Sequence, residues 1–160
     1  SILVASYQVI LLPPYFQNLG KRLVKRPKLY FTDTGLAANL MGINDLEALN
    51  ASPQYGALFE TMVVSDFFKR SYHHLCDPQI YYLRTRDGLE VDLVIEDNQK
   101  LYLIEIKSGS TITPTHTISL LRLKREIPEK IAGSFLLTNA KESFTISGVT
   151  QHPAIPFLTL

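Results

Sequence analysis

Charged residues stand inside two apolar, strand-like segments that only a short polar turn separates. Asp92 lies within residues 89–96, and the run Ile-Glu-Ile-Lys places Glu105 and Lys107 within residues 101–107. Putting an ion inside a sheet costs several kcal/mol unless the ion is paired or bound to a metal. Charges on two adjacent strands therefore indicate that the sheet builds a site there.

The length of the turn between these segments decides which side chains face each other. A turn of two or four residues centred on Asn98-Gln99 pairs Asp92 with Glu105 and Glu90 with Lys107. Opposed residues share one face of a sheet, with Cβ atoms about 4.5–5.5 Å apart. A turn of three or five residues would instead place Asp92 opposite an isoleucine and separate the two carboxylates.

Two close carboxylates and a lysine suggest a specific chemistry. Hard oxygen ligands of this kind suit Mg²⁺ or Mn²⁺. A metal held by Asp92 and Glu105 polarises a phosphoryl oxygen and acidifies a bound water, while Lys107 orients that water or stabilises negative charge. The group predicts metal-assisted phosphodiester hydrolysis. The alternative that the residues leave open is a structural ion pair of Glu105 with Lys107.

A third acid, Glu60, borders the apolar face of a predicted helix that begins at Ser52-Pro53 and ends near Arg70. Gly56, one turn earlier, leaves room for the helix to approach the sheet. Glu60 can therefore reach the face that carries Asp92, directly or through water. The alternative is a partly solvated carboxylate at the edge of the helix.

The predicted order of elements is helix, three strands, helix and two strands, which is typical of an α/β or α+β fold with a mixed central sheet flanked by helices. The strands are expected at residues 79–84, 89–96, 101–107, 131–137 and 143–146, and the second helix opens at Thr113-Pro114. We expect Ile118 and Leu121 on the inward face of this second helix. Residues 1–50 read as an N-terminal extension, with a strand over residues 6–12, a basic segment and a short helix over residues 34–41 capped by Asp33. We expect this extension to pack on a core domain of residues 51–160.

The bulk composition narrows the class of protein. Hydrophobic residues make up 46% of the chain and charged residues 19%, with a net charge of +1, so no global field favours nucleic acid or membrane. The apolar runs are far shorter than the roughly 20 residues that span a bilayer.

The single cysteine, Cys76, excludes an internal disulfide and fits the cytoplasm, where we expect the protein. The chain starts without Met inside an apolar segment, so we expect a fragment of a longer protein.

Two basic groups are candidates for phosphate contact. The first is the stretch of residues 21–28, with Lys21, Arg22, Lys25, Arg26 and Lys28 as the expected contacts; the second is Arg84 and Arg86. The alternative for the first group is that it forms a solvated face or pairs with acids of a partner domain. A two-residue Asp87-Gly88 turn would put Arg84 and Arg86 on the sheet face opposite Asp92, unless a bulge intervenes.

The acids and the lysine also resemble a known motif. Glu60, Asp92 and Glu105-Ile106-Lys107 match the helix acid, the strand Asp and the (D/E)-x-K of the PD-(D/E)XK, restriction-endonuclease-like superfamily, whose α-β-β-β-α-β core fits the predicted order. Further motifs resemble the C-terminal domain of unknown function attached to bacterial and archaeal AAA-type ATPases. These motifs are Leu12-Pro-Pro-Tyr-Phe, Gly20-Lys-Arg-Leu-Val-Lys, Pro27-Lys-Leu-Tyr-Phe-Thr-Asp-Thr-Gly, Gly56-Ala-Leu-Phe-Glu and Arg86-Asp-Gly-Leu-Glu-Val-Asp.

The resemblance implies an upstream P-loop ATPase module and a winged-helix segment that ends near residue 12, both in the same polypeptide. Gly20-Lys21 is not a phosphate-binding loop, because Tyr15 stands where that motif requires glycine. For the site, the resemblance implies a Mg²⁺-dependent nuclease. Asp92 and Glu105 would hold the metal, Glu60 would complete its shell, and Lys107 would position the attacking water.

Three functions follow as expectations. The first is Mg²⁺- or Mn²⁺-dependent cleavage of DNA. The second is a non-catalytic module of the same fold that binds nucleic acid or protein and is coupled to the upstream ATPase. The third is a structural interaction domain, for which an oligomer is the expected state.

Overall fold

A six-stranded mixed sheet with helices on both faces forms the centre of this protein, seen in a computed structural model that describes residues 1–16, 23–73 and 79–155. The N-terminal elements are α1 (Ile2–Ala5), β1 (Val9–Leu12), β2 (Lys28–Phe31), α2 (Thr34–Leu40) and α3 (Leu46–Ala51). The central elements are α4 (Tyr55–His73), β3 (Ile80–Arg84), β4 (Glu90–Asp97) and β5 (Lys100–Lys107). A 3₁₀ turn (Pro114–Thr117), α5 (Ile118–Glu126), β6 (Ile131–Thr138), β7 (Phe144–Ile146) and β8 (Val149–Pro153) follow.

The strands of the main sheet lie in the order β3-β4-β5-β6-β8-β7. The β3–β4, β4–β5 and β7–β8 pairs are antiparallel, whereas β5–β6 and β6–β8 are parallel. The parallel β5–β6 step requires a crossover, which the 3₁₀ turn and α5 supply. The predicted fold class, a mixed sheet flanked by helices, is confirmed.

Each face of the sheet is covered by one helix and has its own apolar cluster. Against α4, Val63 and Val64 meet Leu93, Ile104 and Ile106. The cluster on the α5 side contains Leu101, Leu103, Leu120, Leu123 and Leu136. Alternate residues of β5 therefore serve opposite clusters, as the two-residue period of a strand requires.

The N-terminal strands join the cluster on the α4 face. β1 and β2 form a separate antiparallel pair, in which Ile10 lies opposite Tyr30 and Leu12 opposite Lys28. Ile10, Leu12 and Tyr30 are buried in the same cluster as α4. The predicted cap of α2 is confirmed, since Asp33 Oδ1 accepts a hydrogen bond from the Leu36 backbone N–H at 2.9 Å.

Two helix boundaries differ from the prediction. Residues 46–51 form α3, which was not predicted, and Ser52 is its C-cap. Ser52 Oγ also accepts a hydrogen bond from the Gln54 backbone N–H at 3.1 Å, just before the next helix. The long helix begins at Tyr55 and continues to His73. Asp45 explains the extra helix, because its side chain accepts a hydrogen bond from the Ala48 backbone N–H at 2.7 Å and so caps the first turn.

The inward face of α5 also differs from the expected one. Ile118 is 58% exposed, whereas Leu120 and Leu123 are fully buried. The 3₁₀ turn after Thr113 advances the chain by three residues per turn before the α-helix starts, which rotates the buried stripe away from Ile118. The last strand, β8, was not predicted either, because its Thr-Gln-His sequence lacks an apolar alternation.

None of the helices in the described parts of the chain is long and apolar enough to cross a bilayer.

Candidate active site

The β4–β5 hairpin has the predicted register along most of its length. Asn98 and Gln99 form its turn with φ values of +48° and +65°, and Asp97 pairs with Lys100. Such left-handed pairs match the right-handed twist of the flanking strands. The pairing continues to Leu93 opposite Ile104, one step before Asp92 and Glu105.

At Asp92 a side-chain hydrogen bond replaces the backbone pairing between β4 and β5. On the β3 side, the single residue Tyr82 lies opposite both Asp92 and Leu93, which is a β-bulge in β4. Asp92 Oδ2 accepts a hydrogen bond from the Ile106 backbone N–H at 2.9 Å. The bulge thus turns the carboxylate across the hairpin, where a backbone donor of β5 fixes its orientation.

The β3–β4 turn is one residue longer than predicted. Thr85 N donates to Leu89 O, so the turn contains residues 86–88, with Gly88 at a φ of +89°. Arg84 then pairs with Glu90, and its Nε lies 3.5 Å from Glu90 Oε2. The predicted two-residue turn is wrong, and the longer turn brings Arg84 beside an acid of the site instead of on the face opposite it.

Lys107 joins the two predicted carboxylates on β4 and β5. Its Nζ lies 2.6 Å from Glu105 Oε1 and 3.7 Å from Asp92 Oδ2. The Asp92 and Glu105 side chains are only 10% and 13% exposed. Two nearly buried carboxylates therefore approach one half-buried ammonium group at the end of the sheet.

Glu60 reaches the same region from α4 but is already engaged. Tyr30 Oη donates to Glu60 Oε1 at 2.5 Å, and Lys28 Nζ lies 3.3 Å from the same oxygen. Lys28 Nζ also lies 2.9 Å from Glu90 Oε1 and 3.8 Å from Asp92 Oδ1. The structure therefore assembles Glu60, Asp92, Glu105 and Lys107 in one cluster and adds Lys28, Tyr30 and Glu90 to it.

Lys28 is the member of the charged cluster whose position differs from the prediction. The basic stretch predicted that it faces phosphate, but it is turned into the acids, 5.3 Å above the centre of the Tyr82 ring. Its contacts with Glu60 and Glu90 join residues more than 30 positions apart. In the sequence, the one indication of this position is that Lys28 stands at the start of an apolar strand. That pattern does not identify Glu60 and Glu90 as its partners.

Burial raises the pKa of both central acids. For Asp92, loss of solvent has the largest effect and the nearby Glu60 adds to it, against the opposing influence of Lys107 and Lys28. Burial and the neighbouring Asp92 raise the pKa of Glu105 from 4.5 to about 7. A further cation beside these carboxyl groups would oppose this shift of their pKa and favour the ionised form.

For the two lysines, Lys28 and Lys107, neighbouring charges outweigh the effect of burial on the pKa. Burial alone would lower the pKa of Lys28, but Glu60, Glu90 and Asp92 outweigh it and the pKa is raised. Burial would likewise lower the pKa of Lys107, and Asp92 and Glu105 again reverse the effect. Both side chains are therefore ammonium ions at neutral pH.

Asp92 and Glu105 suit a hard divalent cation. Their oxygens are the preferred ligands of Mg²⁺ and Mn²⁺, and the buried Glu105 Oε2 accepts no hydrogen bond from any described residue. Glu60 is engaged by Lys28 and Tyr30. Within residues 1–16, 23–73 and 79–155, no three His, Cys, Asp or Glu side chains are arranged as a ready metal site. The roles of Glu60, Asp92, Glu105 and Lys107 stay predictions.

The two predicted basic groups come together beside these acids. Leu23 bridges to Thr85, and the Val24 backbone N–H donates to Arg84 O at 2.8 Å. This places the segment of Lys25 and Arg26 along the end of β3. The four exposed residues Lys25, Arg26, Arg84 and Arg86 form what we call the basic rim. Lys21 and Arg22, the other predicted contacts, lie outside the described residues.

Two curated relatives are similar to part of this chain. They are the uncharacterized protein Rv2008c of Mycobacterium tuberculosis and the uncharacterized protein Mb2031c of Mycobacterium bovis, each 40% identical over 100 residues. The similar region is 62% of this chain and 22% of each relative. The chain thus corresponds to roughly a fifth of the length of these proteins.

Two family models match different parts of the chain. Residues 1–47 match a domain of unknown function, DUF8612, and residues 55–159 match another, DUF4143. The second match contains α4 and the whole main sheet, and DUF4143 domains often lie C-terminal in AAA-type ATPases. Because it spans more than half of the sequence, the chain belongs to the DUF4143 family of domains.

Proposed function

We propose that this domain is a divalent-metal-dependent nuclease of the restriction-endonuclease-like kind, acting on phosphodiester bonds in DNA. The observation that carries the proposal is the pair of nearly buried carboxylates, Asp92 and Glu105, which share Lys107 at the end of the sheet. Structural ion pairs seldom leave a buried acceptor unsatisfied, yet Glu105 Oε2 has no partner among the described residues. An acceptor of this kind can coordinate a cation.

Each residue of the site would have its own role in phosphodiester hydrolysis. Asp92 and Glu105 would hold Mg²⁺ or Mn²⁺, with Glu60 joining them once it is released from Lys28. A bound metal would acidify a water and neutralise charge on the phosphoryl group. The hydrogen bond from Ile106 N keeps the Asp92 carboxylate oriented. Lys107 donates hydrogen bonds to the attacking water or to the negative charge that develops on phosphate oxygens.

The basic rim supports a polyanionic substrate. Its residues lie along the end of β3, and Arg84 connects the rim to the acids through Glu90. Positive side chains at the margin of an acidic site can hold the phosphate backbone while the acids bind the metal. Because the net charge of the chain is only +1, DNA contact depends on this local group.

The domain would act as one part of a larger polypeptide. DUF4143 domains often follow AAA-type ATPase modules, and the similar region is only 22% of each curated relative. We propose upstream ATPase and winged-helix modules as its partners.

A plasmid-nicking assay with Mg²⁺ or Mn²⁺ tests the proposal. Wild type should nick supercoiled DNA, and Asp92→Asn and Lys107→Ala should each lose about 100-fold or more of the rate, since each removes a ligand or a donor at the reacting phosphate. Glu47→Gln removes an exposed carboxylate of α3 and serves as the matched control. Equal nicking by wild type and Lys107→Ala would identify a contaminant and overturn the proposal.

A second candidate function is a non-catalytic DNA-binding module of the same fold. Lys28 favours it, because its ammonium already contacts Glu60, Glu90 and Asp92 without a metal. In that case wild type would bind duplex DNA with a strong dependence on salt, would lose affinity in Arg84→Ala and Arg86→Ala, and would leave the plasmid intact.

A further inference from the structure

One lysine occupies the centre of the acids in this site. Lys28 Nζ lies within 3.8 Å of carboxylate oxygens from Glu60, Glu90 and Asp92, which belong to two different elements, α4 and β4. Its side chain is 24% exposed and lies above the Tyr82 ring. A single ammonium ion thus meets three acids in a largely enclosed position.

We propose that Lys28 is the resident cation of this cluster and that it competes with a divalent metal for Asp92; this inference rests on the proposed function. Asp92 Oδ1 faces Lys28, and Asp92 Oδ2 faces Lys107 and Ile106. A metal bound to Asp92 would lie next to the Lys28 ammonium, and like charges a few ångströms apart repel strongly in a poorly solvated site. Metal therefore binds tightly only when Lys28 moves away.

The position of Lys28 depends on the N-terminal strands. Lys28 begins β2 and pairs with Leu12 of β1, and the Arg26 carbonyl accepts a hydrogen bond from Tyr82 Oη. Residues 1–47 match one family model, whereas all the acids and Lys107 lie in the segment that matches the other. A shift of the β1–β2 pair would withdraw the lysine and so couple the N-terminal segment to metal occupancy.

Calorimetric titration of the whole chain with MnCl₂ tests the competition. Lys28→Met, which keeps much of the side-chain volume but removes the charge, should bind Mn²⁺ at least about tenfold more tightly than wild type. Lys124→Met, at an exposed position on α5, is the control for net charge and should match wild type within about twofold. An unchanged or weaker affinity in Lys28→Met would overturn the inference.

Thermal unfolding gives a second measurement that does not depend on activity. Without metal, Lys28→Met should unfold at a lower temperature than wild type, because Glu60 loses its ion pair with Lys28, whereas Asp92 keeps Lys107 and Glu90 keeps Arg84. Saturating Mn²⁺ should then raise its midpoint by more than it raises that of wild type. If the single variant Lys28→Met does not fold, the double variant Lys28→Met with Glu90→Gln replaces it in both measurements. The double variant loses one charge of each sign.

The outcomes separate this inference from the proposed function. Nicking by wild type together with unchanged Mn²⁺ affinity in Lys28→Met overturns the role of Lys28 and leaves the nuclease standing. Tighter Mn²⁺ binding by Lys28→Met, with no nicking by either protein, supports the role of Lys28 and overturns the nuclease. Binding of Mn²⁺ by neither protein overturns the inference.

Discussion

At the scale of single residues, Asp92 connects the two halves of the charged cluster. One of its oxygens faces Lys28, and the other faces Lys107 and the Ile106 backbone N–H. Among the described residues, Glu60 and Glu90 form ion pairs with Lys28, and Glu105 forms one with Lys107. A buried charge without partners costs several kcal/mol. The acids around each lysine therefore stabilise its position, and the lysine in turn stabilises the acids.

The raised pKa of Glu105 predicts how stability depends on pH. Between its unfolded value of 4.5 and its folded value of about 7, the folded state keeps a proton that the unfolded chain has released. The stabilisation is therefore complete below about pH 4.5 and is lost as the pH rises through about 7. In metal-free buffer, the free energy of unfolding should fall by up to about 3 kcal/mol across this window. Asp92, whose pKa is also raised, acts in the same direction.

Urea unfolding at several pH values between 4.5 and 8, with a chelator present, measures this slope. Glu105→Gln cannot titrate, so its stability should vary much less with pH than that of wild type. Glu47→Gln, at an exposed position on α3, should keep the wild-type slope. A wild-type stability that rises over the same range would contradict the prediction.

At the scale of the strands, Gly133 of β6 occupies a position with no room for a side chain. A Cβ there would lie 2.6 Å from Phe135 Cε2 and 3.2 Å from Tyr102 Cδ1, and those two rings are stacked against each other. Gly133→Ala should therefore lower the free energy of unfolding by about 1–3 kcal/mol, since the rings must move apart. Chemical denaturation followed by circular dichroism measures the change.

Gly109→Ala is the matched control for that substitution. No atom lies within 4 Å of the position of its Cβ, so its stability should stay within about 0.5 kcal/mol of wild type. If Gly133→Ala is as stable as Gly109→Ala, the Phe135 ring rotates away freely and the tight packing of β6 has no energetic role.

The two hairpins also show which local sequence signals are sufficient to predict how strands pair. The β4–β5 register was predictable because Asn98 and Gln99 adopt left-handed conformations in a two-residue turn. The β3–β4 register was not, because Asp87-Gly88 serves equally in a three-residue turn, and the extra residue is compensated by the bulge at Asp92. That compensation depends on tertiary packing around Tyr82, which has no signature in the local sequence.

At the scale of the whole molecule, the N-terminal strands and the main sheet share one core and one site. Ile10, Leu12 and Tyr30 are buried with Val63 and Val64 of α4, and Lys28 reaches the acids of α4 and β4. Glu60, Asp92, Glu105 and Lys107 were identifiable from charges in apolar elements and from the family motif. Lys28 was not, because a pair formed between distant segments leaves no periodic pattern in either.

The shared core predicts that the chain unfolds as one unit. Leu12 is fully buried where β1 meets α4, so Leu12→Ala should cost about 2–5 kcal/mol through lost burial and a residual cavity. Calorimetry and circular dichroism should report the same single transition, shifted to lower temperature. Leu12 also pairs with Lys28, so the same substitution should loosen the lysine and raise the affinity for Mn²⁺.

Leu11 provides the control within the same strand. Its side chain is 45% exposed, so Leu11→Ala should change the free energy of unfolding by less than about 1 kcal/mol and leave Mn²⁺ affinity unaltered. Two separate transitions in wild type, or a Leu12→Ala variant that melts like Leu11→Ala, would mean that the β1–β2 pair folds independently of the sheet. In that case the N-terminal segment could not control the site through Lys28.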